Sequence, residues 1–191
     1  MLVKIHKDVD LLNGFLDEVE LTLKVASSEA EIVKRVSDSL TQLLDRRDRA
    51  WLPAKFLRPR SGKYSQYPLY VAPNGTFCVT TLAFQPGAST GVHNHRVWGV
   101  VGVYQGLEDQ AFYKRRPEGG LREAGQLTSE PGECSYLLPP DEEIHSVANP
   151  TGDCSVSIHV YGADIVRVPR QQFCLETGRT STVFSRYEAV L

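Results

Sequence analysis

The sequence predicts a mainly β fold, a barrel or sandwich of many short strands, preceded by an α-helical hairpin. Apolar residues recur at helical spacing over 8–44, whereas short alternating runs separated by Gly, Pro and Asn follow Pro53. The chain has 191 residues, of which 41% are apolar, enough for one domain with its own core. We expect a single domain over 1–191, with helices in 1–55 packed on a β-barrel over 56–191.

The helical region contains two apolar stripes. The first comprises Leu12, Phe15, Leu16, Val19 and Leu23, and the second comprises Ile32, Val33, Val36, Leu40, Leu43 and Leu44. Between the stripes, Ser28 is followed three residues later by Glu31, the pattern of a capping box. The region therefore predicts two helices, the second beginning near Ser28.

The remaining residues contain six β-rich runs, separated by turn signals such as Pro73-Asn74-Gly75 and Pro86-Gly87. The predicted strands cover 77–85, 97–105, 110–114, 134–138, 154–161 and 181–186. Short strands at this spacing favour a barrel or a sandwich.

The composition argues against several classes of function. The formal net charge is −2, without the basic excess of a nucleic-acid binder, and no apolar run is long enough for a membrane span. Residues 1–10 contain no apolar segment typical of a signal peptide. The four cysteines never form a C-x-x-C pair, so zinc-finger spacing is absent. We expect a cytoplasmic protein with free thiols and without nucleic-acid or membrane partners; a monomer and a small homo-oligomer both remain open.

Histidines form the strongest functional pattern. If residues 93–95 are extended, His93 and His95 project to the same face, because strand side chains alternate. His145, from another strand, would complete a facial metal site that leaves positions open for substrate and oxygen. Alternatively, an H-x-H pair on its own can be exposed or simply hydrogen-bonded.

The spacing around these histidines resembles that of the cupins, a family of double-stranded β-helix barrels. In the first cupin motif, Gly87 precedes His93-Asn94-His95 by the family's spacing, and Gly106 closes the motif. In the second motif, Pro140, His145 and Asn149 match, with Glu142 where the family has Gly. The resemblance implies metal binding by His93, His95 and His145.

Gly99 occupies the position at which most cupins have a fourth ligand, a glutamate. A neutral three-histidine site keeps more positive charge on the ion and leaves one more position open, which suits a thiolate on iron(II). Among cupins, the thiol dioxygenases are typical of those that lack this glutamate.

The segment Ser157-Ile-His159-Val-Tyr161 resembles the S-x-H-x-Y triad of the cysteine dioxygenase type I family, over about residues 60–185. Period-two spacing puts the three side chains on one face, where they could relay hydrogen bonds. The resemblance places Tyr161 nearest the metal, His159 behind it and Ser157 outermost. The alternative is three ordinary inward-facing polar residues.

Two departures from that family are informative. Gly99 replaces the cysteine that mammalian members join to the triad tyrosine, so Tyr161 should be an unmodified phenol. In Tyr64-Ser-Gln66, Gln66 replaces the arginine that grips the substrate carboxylate, as in the bacterial branch associated with 3-mercaptopropionate dioxygenases. Gln66 and Tyr64 would then orient the substrate, and Arg167 and Arg170 are candidates for binding the carboxylate, unless both are surface charges.

The resemblance therefore implies an Fe(2+) enzyme that adds both atoms of O2 to the sulfur of a small thiol acid, most readily 3-mercaptopropionate. Cysteine, cysteamine and mercaptosuccinate are alternative substrates. A non-catalytic cupin that binds a ligand or metal is a second alternative, and an isomerase or decarboxylase using Mn or Zn is a third.

Overall fold

A computed structural model of the chain describes residues 9–45, 51–60, 62–140 and 144–189; Glu142 of the second motif lies outside these ranges. Within them, two helices precede ten strands. The helices are α1 (Val9–Val25) and α2 (Glu29–Leu44). The strands are β1 (Tyr64–Val71), β2 (Cys78–Phe84), β3 (Gly99–Gln105), β4 (Glu108–Arg115), β5 (Leu121–Ser129), β6 (Cys134–Leu137), β7 (His145–Ala148), β8 (Ser155–Tyr161), β9 (Arg170–Phe173) and β10 (Thr180–Val183).

The helical hairpin packs on the outside of the barrel. Ser28 is the N-cap of α2, and its Oγ accepts a hydrogen bond from the Glu31 N–H at 3.2 Å. The Glu31 carboxylate reaches back to the Ser27 N–H rather than to that of Ser28, at 2.9 Å. Farther along α2, a Cβ atom at Gly102 of β3 would lie 2.8 Å from the Leu40 side chain. The absence of a side chain at Gly102 therefore lets α2 approach the sheet closely.

Two antiparallel sheets form the barrel. The first has the strand order β1-β2-β8-β3-β6. The second contains β5-β4-β7, and the segment 88–94 extends it toward the β9–β10 pair. Ladder hydrogen bonds thus run through both sheets, and the central strands β2 and β8 are buried along their whole length.

The predicted fold class is confirmed: the protein is mainly β, with antiparallel sheets and an N-terminal two-helix hairpin. Four strands, β1, β5, β7 and β9, lie outside the six predicted runs, and the predicted strand at 97–105 begins only at Gly99. β5 carries polar side chains along most of its length, so it lacks the apolar alternation that would mark a strand. The helices described are too short or too polar to cross a membrane.

Candidate metal centre

The H-x-H pair lies in an irregular segment between β7 and β9, outside the regular strands. The His93 N–H donates to the His145 carbonyl at 2.8 Å, and the His145 N–H donates back at 2.9 Å. On the other side, the Phe173 N–H donates to the Val92 carbonyl at 2.8 Å. Backbone hydrogen bonds therefore fix the segment on both sides and position its two imidazoles, although the segment is not part of a regular strand.

His93, His95 and His145 meet at the centre of the barrel. Nε2 of His95 lies 3.0 Å from Nε2 of His93 and 3.4 Å from Nε2 of His145, and all three side chains are buried. Two nitrogens that bind one ion at about 2.1 Å lie about 3.0 Å apart at a right angle and about 3.4 Å apart at a tetrahedral angle. The observed separations therefore suit one metal ion bound to one face.

The outward nitrogens determine which tautomer two of these rings adopt. Nδ1 of His93 donates to the Gly91 carbonyl at 2.8 Å, and Nδ1 of His145 donates to Oε1 of Gln110 at 3.3 Å. In both rings the proton is thus on Nδ1, and Nε2 keeps a lone pair facing the centre. Nδ1 of His95 is buried without a hydrogen-bond partner.

Burial keeps the three imidazoles neutral. Burial, assisted by the charge of Arg170, lowers the pKa of His93 to about 4. Burial and the neighbouring histidines lower the pKa of His95 well below its usual value. The pKa of His145 is also lowered well below its usual value, mainly by burial. Neutral imidazole is the form that binds metal, so the donor set fits a divalent ion.

The potential ligand atoms of His93, His95 and His145 all lie within 4.8 Å of one another. Among the residues that the structure describes, no acidic side chain belongs to this cluster. Gly99, the residue that the motif comparison aligned with a fourth ligand, lies in β3 and pairs with Tyr161 of β8. Glycine contributes no ligand there, so a bound ion would keep open positions on the cavity side.

Hydrogen bonds join the side chains of Ser157, His159 and Tyr161 along β8. Oη of Tyr161 lies 2.9 Å from Nδ1 of His159, and Nε2 of His159 lies 2.8 Å from Oγ of Ser157. The Tyr161 ring packs edge-on against His95, with the ring centres 4.8 Å apart. Burial lowers the pKa of His159 to about 3 and raises that of Tyr161 far above its usual value, so both side chains are uncharged.

A cavity of about 390 Å³ opens beside the three histidines. Its wall includes Tyr64, Gln66, Tyr161, Arg170, Ser185 and Glu188. Gln66 is 7% exposed, and its Nε2 donates to Oγ1 of Thr80 at 3.5 Å.

Of the two candidate arginines, only Arg170 lines this cavity. Its Nη2 donates to Oγ of Ser185, and its Nε is buried without a partner. The Arg167 side chain is 85% exposed and pairs with Asp164 at 3.2 Å, beside a different depression.

Several residues at the site were not identified from the sequence. Gln110 accepts a hydrogen bond from His145 and donates one to Glu108. Ser185 accepts a hydrogen bond from Arg170. The predicted strand at 110–114 begins two residues too late to include Glu108. The alternation of Glu108 and Gln110 could have identified both residues, because both side chains face the interior of β4. Nothing local marks Ser185, since only tertiary folding brings it to Arg170.

No protein-family model matches the chain. Among solved structures, it is similar to an oxalate oxidase in complex with the substrate analogue glycolate, at 15% identity and a TM-score of 0.45 over 59% of each chain. It is also similar to a cupin superfamily protein from Desulfitobacterium hafniense, at 13% identity and a TM-score of 0.43 over 61% of this chain and 88% of that one. A Cupin 2 conserved barrel domain protein from Salinispora arenicola matches at 20% identity and a TM-score of 0.44 over 59% of this chain and 87% of that one. The last two carry the name cupin, and the likeness concerns the fold alone.

Proposed function

We propose that this protein is a non-haem iron(II) thiol dioxygenase that converts a small thiol acid into a sulfinate, most readily 3-mercaptopropionate into 3-sulfinopropionate. The observation that carries the proposal is the Tyr161–His159–Ser157 chain, which ends beside a three-histidine face with Gly99 in the fourth position. The reaction R–SH + O2 → R–SO2H balances without an external reductant, because the sulfur supplies the electrons. A redox-active ion is required, and three histidines with open positions suit iron(II).

The metal would be held by Nε2 of His93, His95 and His145 and would supply the binding of thiolate and dioxygen side by side. These three ligands are neutral, so they would leave the positive charge of the metal ion available to attract the thiolate. The hydrogen bonds from Nδ1 of His93 and His145 hold two of the rings in orientation.

We assign Arg170 the role of binding the substrate's carboxylate. Its Nε–H has no partner within the protein, and an unpaired buried donor gains from an incoming acceptor. Ser185 accepts a hydrogen bond from Nη2 of Arg170, and both residues line the cavity. Gln66 and Tyr64 line the same wall and would orient the chain between the carboxylate and the sulfur.

His159 and Tyr161 of β8 both border the cavity, and the raised pKa of Tyr161 keeps its phenol protonated. We assign it the role of hydrogen-bonding the reacting substrate, with His159 and Ser157 orienting the hydroxyl.

The test is aerobic incubation of the iron-loaded protein with 3-mercaptopropionate, following oxygen uptake with an electrode and sulfinate by NMR. We expect equimolar consumption of oxygen and thiol. Absence of oxygen uptake with 3-mercaptopropionate, cysteine and mercaptosuccinate alike would remove the proposal and favour a binding protein.

Cysteine is the second candidate substrate, and Glu188 is the observation that favours it. Its carboxylate lines the cavity and accepts a hydrogen bond from Ser65 at 3.3 Å, so it could receive the ammonium group of cysteine. Glu188→Gln should then lower kcat/KM for cysteine and leave the value for 3-mercaptopropionate unchanged. Equal effects on both thiols would count against cysteine.

A further inference from the structure

The buried carboxyl group of Glu108 lies between Gln110, which is hydrogen-bonded to the candidate metal ligand His145, and His159 of β8. Glu108 is 2% exposed, and its Oε1 accepts a hydrogen bond from Nε2 of Gln110 at 3.0 Å. Gln110 also donates to Ser135 at 2.8 Å, and its Oε1 accepts from His145. Glu108 therefore lies two hydrogen bonds from a candidate metal ligand.

The second carboxyl oxygen faces β8. Oε2 of Glu108 lies 3.9 Å from Nε2 of His159 and makes no hydrogen bond of its own. The Ser157 hydroxyl is bonded to this same Nε2 of His159 at 2.8 Å, so Ser157 and Oε2 are neighbours around one ring nitrogen. A negatively charged oxygen buried in this way without a donor is costly, whereas a protonated oxygen could donate to Ser157.

Whether Oε2 carries a proton determines which group donates in each hydrogen bond among Ser157, His159 and Tyr161, because each of these bonds contains one proton. If Oε2 only accepts, Ser157 donates to Oε2 and Nε2 of His159 donates to Ser157. The Tyr161 hydroxyl then donates to Nδ1 of His159. If Oε2 donates, every bond reverses: Ser157 donates to His159, and Nδ1 of His159 donates to Tyr161. Only the second arrangement leaves the Tyr161 O–H free to donate into the cavity.

We propose that Glu108 is a positioning residue that carries a proton on Oε2 and donates it toward Ser157, which sets the hydrogen-bond chain so that Tyr161 donates into the cavity. The hydrogen-bond direction is a property of the protein alone; the use made of the Tyr161 proton rests on the proposed dioxygenase function. Burial, which raises the pKa of Glu108 to about 7, agrees with the protonated form.

The deciding experiment is long-range 1H–15N NMR of the full-length 15N-labelled protein loaded with zinc, which is diamagnetic, slightly below the Glu108 pKa. The His159 signals are assigned from those lost in His159→Asn. We expect Nδ1 of His159 to be protonated and Nε2 to be unprotonated. A proton on Nε2 instead would mean that the carboxylate accepts, and the inference would be wrong.

Glu108→Gln provides a second test, because an amide N–H can replace the carboxyl proton while its oxygen still accepts from Gln110. This variant should keep the His159 tautomer and lose less than about threefold in kcat, whereas Glu108→Leu should lose about tenfold or more. A large loss in Glu108→Gln with the other tautomer would overturn the inference. The matched control is Glu123→Gln, an exposed Glu that also accepts from a glutamine, Gln126. Since the NMR measurement needs no thiol, it can succeed even if the dioxygenase proposal fails.

Discussion

Gly99 and Tyr161 are paired across β3 and β8, and a Cβ atom at position 99 would lie 3.4 Å from the Tyr161 ring and 3.6 Å from Nδ1 of His95. Both distances are ordinary van der Waals contacts. The backbone thus has room for a small side chain between the phenol and the metal ligands, at the position where, by resemblance, most cupins carry a glutamate.

Gly99→Ala should fold normally, because the added methyl group meets no clash, with a change in unfolding free energy of less than about 1 kcal/mol. Gly99→Glu should retain metal at least as well but lose tenfold or more in kcat, since an added carboxylate would compete with the thiolate for an open position. Thermal unfolding, metal analysis and oxygen uptake check the pair. A fully active Gly99→Glu variant would contradict the role assigned to the open position.

Gln110→Leu should weaken metal binding by roughly 10- to 100-fold, because His145 loses the acceptor that fixes its ring. Competition against a chromophoric chelator measures the affinity. Gln126→Leu, at an exposed position on β5, is the matched control and should bind metal normally. Unchanged affinity in Gln110→Leu would show that the ring needs no such support.

Arg170→Gln should lower kcat/KM for 3-mercaptopropionate by about 10- to 150-fold, the loss of one charged hydrogen-bond partner. A thiol without a carboxylate should show little change. Arg167→Gln is the control, because its side chain is exposed and paired with Asp164. If both arginine variants behave alike, Arg170 does not bind the carboxylate.

The stability of the protein should depend on pH through Glu108, whose pKa rises from 4.5 to about 7 on burial. A carboxyl with a raised folded-state pKa stabilises the fold at low pH, and this contribution is lost as pH rises through 7. The nearby titratable groups of β8, His159 and Tyr161, stay neutral over this range.

Glu108→Gln does not titrate at this position, so it should gain stability relative to wild type by up to roughly 3 kcal/mol between pH 5 and pH 8. Urea unfolding of both proteins at the two pH values measures the difference. A gap that is independent of pH would mean that Glu108 ionises normally.

The sequence predicted the parts of the site that lie close together in the chain. Strand alternation alone puts Ser157, His159 and Tyr161 on one face, and the spacing of His93 and His95 needs only a locally extended backbone. Both arrangements are present, although residues 93–95 lie outside the regular strands.

The rest depends on strand pairing, which the sequence does not specify. β4 lies beside β7, and this neighbourhood brings Gln110 to His145. Arg167 and Arg170 are equally plausible in sequence, but a short helical turn over Ile165–Arg167 leaves Arg167 exposed, and β9 directs Arg170 inward. Such differences follow from tertiary contacts that single-sequence patterns do not contain.

The most direct test of the central claim is turnover of 3-mercaptopropionate by the iron-loaded protein under 18O2, with the product analysed by mass spectrometry. We predict a sulfinate in which both oxygens are labelled. A sulfinate with one labelled oxygen, or a disulfide as the only product, would contradict the account.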